Sequence, residues 1–360
     1  MREGTKQAFA RDEIGKWLDA GRHKPGERMP PIRVMAEALG LKDQPVRRAV
    51  AALAAEGRLR TVNGVGVFVC DSARASGKVM FLLRTPGALE PVPDQLGGFI
   101  SAQIHCGASD GVIARGWEPV HCFMSDFGGD IAKLVRRFEA ASWMGIISLG
   151  FLGADTLHQL AARIGAHRLV TTRYGAEPTS LNEVRVRVKP GVYAALDKAL
   201  ELGHRKFAFF YGENVSSQWS HMERYRVFME WCRERGVAMD PACLVPTGGT
   251  TMDGYRATLQ LLERLKNVTL IFGATDDRCR GVLQALADRG LTPGKHVSVL
   301  GYDDMPEAEA LNLATVRVPR TQIGASAVAL LERTTQEKLT GEQAWLDTEP
   351  VFRGSLGPAL

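Results

Sequence analysis

Residues 32–69, "IRVMAEALGLKDQPVRRAVAALAAEGRLRTVNGVGVFV", decide the fold of the first part of the chain. They begin with helical spacing and end with strand spacing. A short helix is predicted over Ile32–Leu39, with Met35, Ala38 and Leu39 inward and Gly40 as its stop. A longer one is predicted from Pro45 to Glu56, because Val46, Ala49, Val50 and Leu53 fall on one face. Asp43 or Gln44 can cap it, and Pro45 suits its first turn. Arg47 and Arg48 lie beside the apolar stripe, so at least one faces outward. After Gly57 the period drops to two. "RLRTV" and "VGVFV" flank Asn63–Gly64, a pair that favours a tight hairpin.

Upstream, Ala10, Ile14, Trp17 and Leu18 recur at i, i+4, i+7 and i+8, one face of a first helix. "HKPGERMPP" then breaks it, since Pro25, Gly26, Pro30 and Pro31 cannot continue a helix. Three helices followed by a hairpin make a winged helix-turn-helix. Its third helix would enter a major groove, and its wing, tipped by Gly64 and Gly66, would lie on the backbone or a minor groove. Charge points the same way. Residues 1–75 hold 14 Lys/Arg against 9 Asp/Glu, while the remaining 285 hold 31 of each, so the net charge of +5 belongs to the first fifth of the chain. A basic module on a neutral body implies a polyanionic partner. Lys42, Gln44 and Arg48 around the third helix, and Arg58, Arg60 and Asn63 on the wing, are placed to reach phosphates or base edges.

"CDSARASGK" (70–78) is small and polar and reads as a linker. Beyond it, apolar strands alternate with amphipathic helices in two rounds of about 110 and 125 residues, the pattern of α/β parallel sheets covered on both faces. The expected organisation is a DNA-binding domain over 1–70, a linker over 71–78, and a two-lobed body over 79–360. Lobe one is expected over about 79–185 with a return near 314–322, and lobe two over about 186–313 plus 323–345. Ligands of open α/β sheets sit beyond the carboxyl ends of the strands, here between the lobes. Arg84 and Thr85, ending the first strand of the body, line that cleft by topology.

The head resembles the N-terminal domain of GntR-family transcription regulators. The likeness covers about residues 8–69 and rests on Pro25–Gly26, Pro30, Arg33, Ala36, Leu39–Gly40, Val46–Arg47, Ala49, Leu53, Glu56–Gly57, Gly64-x-Gly66 and Phe68–Val69. It implies DNA contacts at Arg33 and Arg47. Where that family has Ser-Arg-x-Thr, this chain has Lys42, Asp43, Gln44 and Pro45, so its operator would differ from the usual one.

The second half, most clearly 190–341, resembles the effector domain of LacI-type repressors, which shares its fold with periplasmic sugar-binding proteins. "ERYRVFMEWCRERG", "FGATDDRCRGVLQALADRG" and "HVSVLGYDD" carry the likeness. It implies Arg224 and Asp303 as effector-binding residues, with Thr275 and Asp276 in place of an Asn-Asp pair. A guanidinium's fixed fork suits vicinal hydroxyls or a carboxylate. Trp219 could stack on a sugar face, or serve a core or dimer interface. Asp276 could instead cap the following helix, and Asp304, alternating away from Asp303, reads as structural. The family's Asp-Asn before Pro190–Gly191 is replaced by Arg187 and Val188, which favours an acidic effector such as a sugar acid or sugar phosphate. GntR-type heads on LacI-type bodies form the arabinose-repressor type of regulator.

Together these readings predict a ligand-responsive transcription regulator, a repressor released by its effector. It would be dimeric on half-sites about 34 Å apart or multiples of that. The alternatives are a sugar-binding protein whose head no longer binds DNA, and an enzyme. Adjacent carboxylates on one strand point apart, so neither Asp276–Asp277 nor Asp303–Asp304 can flank one bond, and no Walker motif or nucleophile elbow occurs. The cysteines form no Cys-x-x-Cys pair. His105–Cys106 and His121–Cys122 are adjacent pairs whose neighbours would face opposite sides of a strand, so no metal site is read there, and no cofactor is expected. No run of about 18 apolar residues or apolar leader core appears, so a cytoplasmic location with no membrane partner is expected.

Overall fold

Three short crossings between two parallel sheets define the body, and a separate apolar cluster defines the head. The computed structural model describes residues 3–24, 26–55, 58–62, 66–69, 77–84, 96–150, 152–172, 178–212, 219–264 and 267–360.

In the head, α1 (Glu3–Asp19), α2 (Ile32–Ala38) and α3 (Asp43–Ala55) pack through Ala10, Ile14, Leu18, Met35, Val46, Val50 and Leu53. Ala36, not Ala38, shares the inward face of α2 with Met35; Ala38 lies about 200° of helix rotation from Ala36 and is exposed. α3 starts at Asp43, two residues before Pro45, which puts an acidic side chain in the first turn where the helix dipole favours it. β1 (Leu59–Val62) pairs antiparallel with β2 (Gly66–Val69), and Val62 faces Gly66. That register leaves three residues between the strands, one more than an Asn-Gly turn needs. The segment around Arg28 adds to the wing. Met29 N–H donates to the Val67 carbonyl, Val69 N–H to that of Glu27, and Arg28 bridges Phe68.

Lobe one is a six-stranded parallel sheet in the order β13-β7-β6-β5-β3-β4. Its strands are β3 (Lys78–Leu83), β4 (Glu118–Phe123), β5 (Trp143–Ser148), β6 (Leu169–Thr171), β7 (Asn182–Arg187) and β13 (Gln343–Asp347). One face packs α4 (Leu96–Ala114) and α12 (Arg320–Glu337); the other packs α5 (Ile131–Glu139) and α6 (Ala154–Ile164). Lobe two is a parallel sheet ordered β11-β10-β8-β9, made of β8 (Phe207–Gly212), β9 (Leu244–Thr247), β10 (Leu270–Gly273) and β11 (Ser298–Leu300). It lies between α7 (Lys189–Glu201) with α8 (Trp219–Arg235) and α9 (Thr251–Arg264) with α10 (Asp276–Asp288). β12 (Thr315–Arg317) and β14 (Glu349–Val351) pair antiparallel beside it.

The lobe boundaries differ from the sequence expectation. Residues 314–317 run along β11 in lobe two, where Gly301 N–H donates to the Ala314 carbonyl. α12 and β13 belong to lobe one, because Ile323, Ala327, Val328 and Leu331 bury against α4 and its sheet, and β13 extends β7. An amphipathic stripe shows that α12 buries a face, not which sheet it buries against. β3 starts at Lys78, so the body begins one residue earlier than expected.

The crossings fall at 187–189, 317–320 and 347–349. Two leave the carboxyl ends of β7 and β13, which directs the carboxyl edge of lobe one toward lobe two. Thr348 ties the first crossing to the third: its Oγ1 donates within 3.0 Å of the Arg187 and Val188 carbonyls and accepts from Gly191 N–H at 3.1 Å. A Cβ on Gly191 would stand 2.6 Å from that Oγ1, so the position requires glycine.

Candidate functional site

The head presents one polar face. Arg33 on α2 and Gln44, Arg47 and Arg48 on α3 are all exposed, as is Lys42 just before α3, while Val46, Ala49, Val50 and Leu53 point inward. The first turns of α3 therefore carry cations and an amide outward on a helix seated against α1 and α2, the geometry by which a helix enters a major groove. Arg58 has another task. Its guanidinium donates to the Gly15 carbonyl at 3.2 Å and pairs with Asp19, which ties the wing to α1 and turns the side chain away from a backbone-contact role. Gly66 is needed: its φ is +147°, and a Cβ there would lie 2.6 Å from Nε of Arg28. Arg28 thus joins the wing, a cation that periodicity does not single out. Asn63, Gly64 and the side chain of Arg60 lie outside the described residues.

In the body, the strongest cluster stands at the carboxyl ends of lobe two's strands. Arg224, on the helix after β8, donates Nη1–H to the Ala274 carbonyl at 2.5 Å and faces Asp303 Oδ1 through Nη2 at 3.3 Å. The Tyr302 ring covers its guanidinium at 3.8 Å. Asp303, fully buried, also takes Arg320 Nη2–H on Oδ1 at 3.1 Å and Arg320 Nη1–H on its backbone carbonyl at 2.8 Å. Its φ of +120° is a conformation that costs about 1–3 kcal/mol for a non-glycine residue, and Arg320 and the Val316 carbonyl hold it there. The structure thus brings Arg224 and Asp303 together as one buried ion pair. Arg320 is a third member that the sequence reading missed.

Asp276 is neither a helix cap nor open to the cleft. Thr275 caps α10, accepting from the backbone N–H and Nη1–H of Arg278. The Asp276 carboxyl receives Met305 N–H at 2.8 Å and Thr315 Oγ1 at 2.6 Å. Burial, then the nearby Asp303 charge, pushes it up to about 8. Asp304 binds Arg317 and Arg353, at 2.6 and 2.8 Å, and is structural as read. Arg187 is not a surplus cation: it pairs with Asp347 at 3.0 Å and stacks over Trp345. The case for an acidic effector cannot rest on it.

Lobe one supplies polar strand ends. Ser148 ends β5 and Thr171 ends β6, paired side by side. Both hydroxyls are buried without a hydrogen-bond partner among the described residues, and buried polar groups normally have one. They read as ordinary polar residues in sequence. Arg84 is exposed at the end of β3; Thr85 and the side chain of Trp219 lie outside the described residues. A pocket of about 260 Å³ lies at the second crossing, lined by Gln103 of lobe one with Asp304, Arg317, Arg320 and Glu349. A larger groove, about 760 Å³ along α8, is lined by Met222, Tyr225, Met229 and Arg233 and includes none of the cluster.

This arrangement, a basic helix-turn-helix head and two α/β lobes joined by three crossings, is that of a DNA-binding regulator with a ligand-binding body. Comparison with known proteins agrees. Residues 6–69 match the family of bacterial regulatory proteins called gntR, and residues 196–356 match the periplasmic binding protein-like domain. The chain thus joins a gntR-family head to a periplasmic-binding-protein-like body. It is 23% identical over 361 residues, 94% of each chain, to the arabinose metabolism transcriptional repressor of Geobacillus stearothermophilus. It is 29% identical over 150 residues to the HTH-type transcriptional repressor PurR of Haemophilus influenzae, covering 41% of this chain and 44% of that one. Among solved structures, a LacI-family regulator from Enterococcus faecium with bound ribose shares the fold at TM-score 0.61 and 21% identity, over 78% of this chain and all of that one. A lac repressor dimer bound to operator gives TM-score 0.61 at 17% identity, over 78% and 94%.

Proposed function

We propose that the protein is a dimeric, cytoplasmic repressor whose DNA binding is relieved by a small polyhydroxylated anion, a sugar acid or sugar phosphate, closed between the lobes. The observation that carries this reading is the charge of the buried cluster. Arg224, Arg278 and Arg320 are all at least 96% buried, and among the described residues the buried acids beside them are Asp303 and Asp276, the latter held toward its neutral form. Buried guanidiniums in excess of carboxylate favour an anion. Asp303 and the hydroxyls of Ser148 and Thr171 suit a ligand's hydroxyls on either side of the cleft. Closure by hinge motion at the three crossings would couple the cleft to the head.

No catalytic role is read for the cluster. Asp276 has both oxygens occupied, and Arg224 and Arg320 both hold Oδ1 of Asp303, so the two carboxyls are engaged in holding the fold. Two experiments test the reading. Isothermal titration with a neutral hexose and its uronate should show the acid binding more tightly; the reverse order removes the anionic effector. A gel shift with the chain's own upstream DNA should weaken steeply with salt. No shift at about 50 mM salt, with or without ligand, leaves a sugar-binding protein without a DNA function.

A further inference from the structure

We propose that Arg278 is the residue that selects the effector by charge: with the Thr275 hydroxyl it receives the acidic group, a carboxylate or a phosphate, at the carboxyl ends of β9 and β10. The assignment rests on the anionic effector proposed above. Arg278 is the third residue of α10 and only 2% exposed. Its Nε–H donates to Thr247 Oγ1 and to the Gly248 carbonyl, both at 2.9 Å, and its Nη1–H donates to Thr275 Oγ1 at 3.0 Å. Thr247 ends β9 and Thr275 stands two residues beyond β10, so these bonds hold the guanidinium along the carboxyl edge of lobe two.

That guanidinium lacks a counter-charge. Arg224 and Arg320 share Asp303, but among the described residues no carboxylate pairs with Arg278. Asp253 on α9 is taken by the backbone N–H and the hydroxyl of Thr250, at 3.0 and 2.7 Å. A buried charge is normally paired, because removing it from water is costly. Nη2 of Arg278 has no hydrogen-bond partner among the described residues. Thr275 Oγ1 accepts from both Nη1–H and the backbone N–H of Arg278, which leaves its own hydrogen to donate, with no acceptor among the described residues. Two donors without acceptors thus stand side by side, and the oxygens of an ionised carboxylate or phosphate fit both. Burial, then the Arg224 charge, lowers the pKa of Arg278, and one anion relieves both effects. The backbone adds to the field. α9 and α10 begin at this edge with their first turns in contact, since a Cβ on Gly281 would fall 1.9 Å from the Thr251 carbonyl. Two positive helix ends therefore lie together. Gly248 and Gly249 carry the chain past Arg278 without side chains, and a Cβ on Gly249 would meet nothing within 4 Å, which leaves room for a ligand.

The test uses the full-length chain with glucuronate, glucose 6-phosphate, glucose and inorganic phosphate. Calorimetric titration should show the parent binding an acid more tightly than glucose, and the tighter of the two acids gives the acidic group. Arg278→Gln should reduce that preference by about 10- to 100-fold, the effect of losing a hydrogen bond to a charged group, with glucose affinity little changed. A purely structural Arg278 would lower all the affinities alike. Arg278→Lys keeps the charge without the fork and should retain part of the preference. Inorganic phosphate should raise the melting temperature of the parent saturably, beyond sodium chloride of equal ionic strength, and should not raise that of Arg278→Gln. If Arg278→Gln does not fold, Arg278→Met decides by the same readings. An unchanged preference in the neutral variant overturns the assignment and leaves the anionic effector standing. A parent that binds glucose as well as or better than both acids overturns the two together. If the parent binds none of the three sugars, inorganic phosphate decides: no saturable stabilisation, or equal stabilisation of parent and neutral variant, overturns the assignment.

Discussion

Asp303→Asn is the substitution that bears most directly on the cleft. The amide keeps the shape of the side chain and removes its charge. Two charge-assisted bonds then weaken, from Arg224 at 3.3 Å and Arg320 at 3.1 Å. Such bonds contribute about 1.5–3 kcal/mol each, and these lengths put them at the lower end. Removing one partner of a buried ion pair costs about 3–5 kcal/mol, because the remaining charge stays buried. The Arg320 bond to the Asp303 carbonyl survives the change. The body should therefore lose about 3 kcal/mol, and its urea midpoint should fall by about 1 M or more at a slope of about 1–3 kcal/mol/M. Urea unfolding followed by tryptophan fluorescence measures this, with Trp231 buried in lobe two as the reporter. The variant also separates ligand classes. A uronate supplies the lost negative charge and should stabilise the variant more than the parent, while a neutral hexose should stabilise it less. A variant that unfolds within about 0.3 M of the parent would show that the carboxylate does not hold the two arginines.

Asp276→Asn should grow more stable relative to the parent as pH rises from about 4 to 8. A carboxyl raised to about 8 stabilises the fold fully below its unfolded value and loses that contribution as pH climbs through the folded one, by up to about 1.4 kcal/mol per pH unit; urea midpoints of both proteins at pH 5, 6.5 and 8 read it, and parallel curves refute it. Arg33→Ala and Arg47→Ala should each reduce the slope of log affinity against log salt by about 1, whereas Arg58→Ala should leave that slope unchanged and lower head stability by about 1 kcal/mol. Thr348→Val should cost about 1–3 kcal/mol, since Gly191 N–H loses its buried acceptor, and should loosen the crossings to limited proteolysis. Arg320→Gln should keep most effector affinity, because Arg224 remains, and should blunt the effector's relief of DNA binding in a gel shift.

Much of the head was legible because local periodicity alone specifies it. One stripe on α3 and a change of period after Gly57 are enough to place the helix and the wing. Arg224 and Asp303 were reachable because the residues around them carry family-like motifs. Arg320 was not. It sits 17 residues after Asp303 and 96 after Arg224, inside the stretch that resembles the LacI-type body but without a motif that gave it a role. Arg58 looked like a wing cation because its partner Asp19 is 39 residues away and invisible to local pattern. β7 and β13 were hidden for a different reason. "NEVRVR" and "QAWLD" carry charges that are paired within the sheet, Glu183 with Arg185 along β7 and Arg187 with Asp347 across β7 and β13. Ser148 and Thr171 matter by what their buried hydroxyls lack, which no sequence pattern records.

Arg320 also ties the two lobes together. It is the first residue of α12, a helix that lies on α4 too closely for side chains to intervene. A Cβ on Gly107 would fall 1.9 Å from the Thr321 carbonyl, and one on Gly324 would fall 2.0 Å from that of Ile104. Two glycines from opposite helices thus bring the backbones into contact, and α12 cannot shift without taking α4 with it. The guanidinium at the head of this pair reaches out of lobe one, grips Asp303 in lobe two, and touches Gln103 Oε1 of α4 at 3.5 Å. A ligand that takes hydrogen bonds from Arg320 or gives them to Asp303 competes with this grip. Its effect on the hinge is limited to the difference between its own bonds and the ones it replaces. β3, in the sheet beneath α4, is the strand to which the linker brings the head. On the proposed function, coupling from the cleft to the head would run through one arginine, one glycine-packed helix pair and one strand. An effector that bound lobe two without disturbing Arg320 would fill the cleft and leave the head as it was.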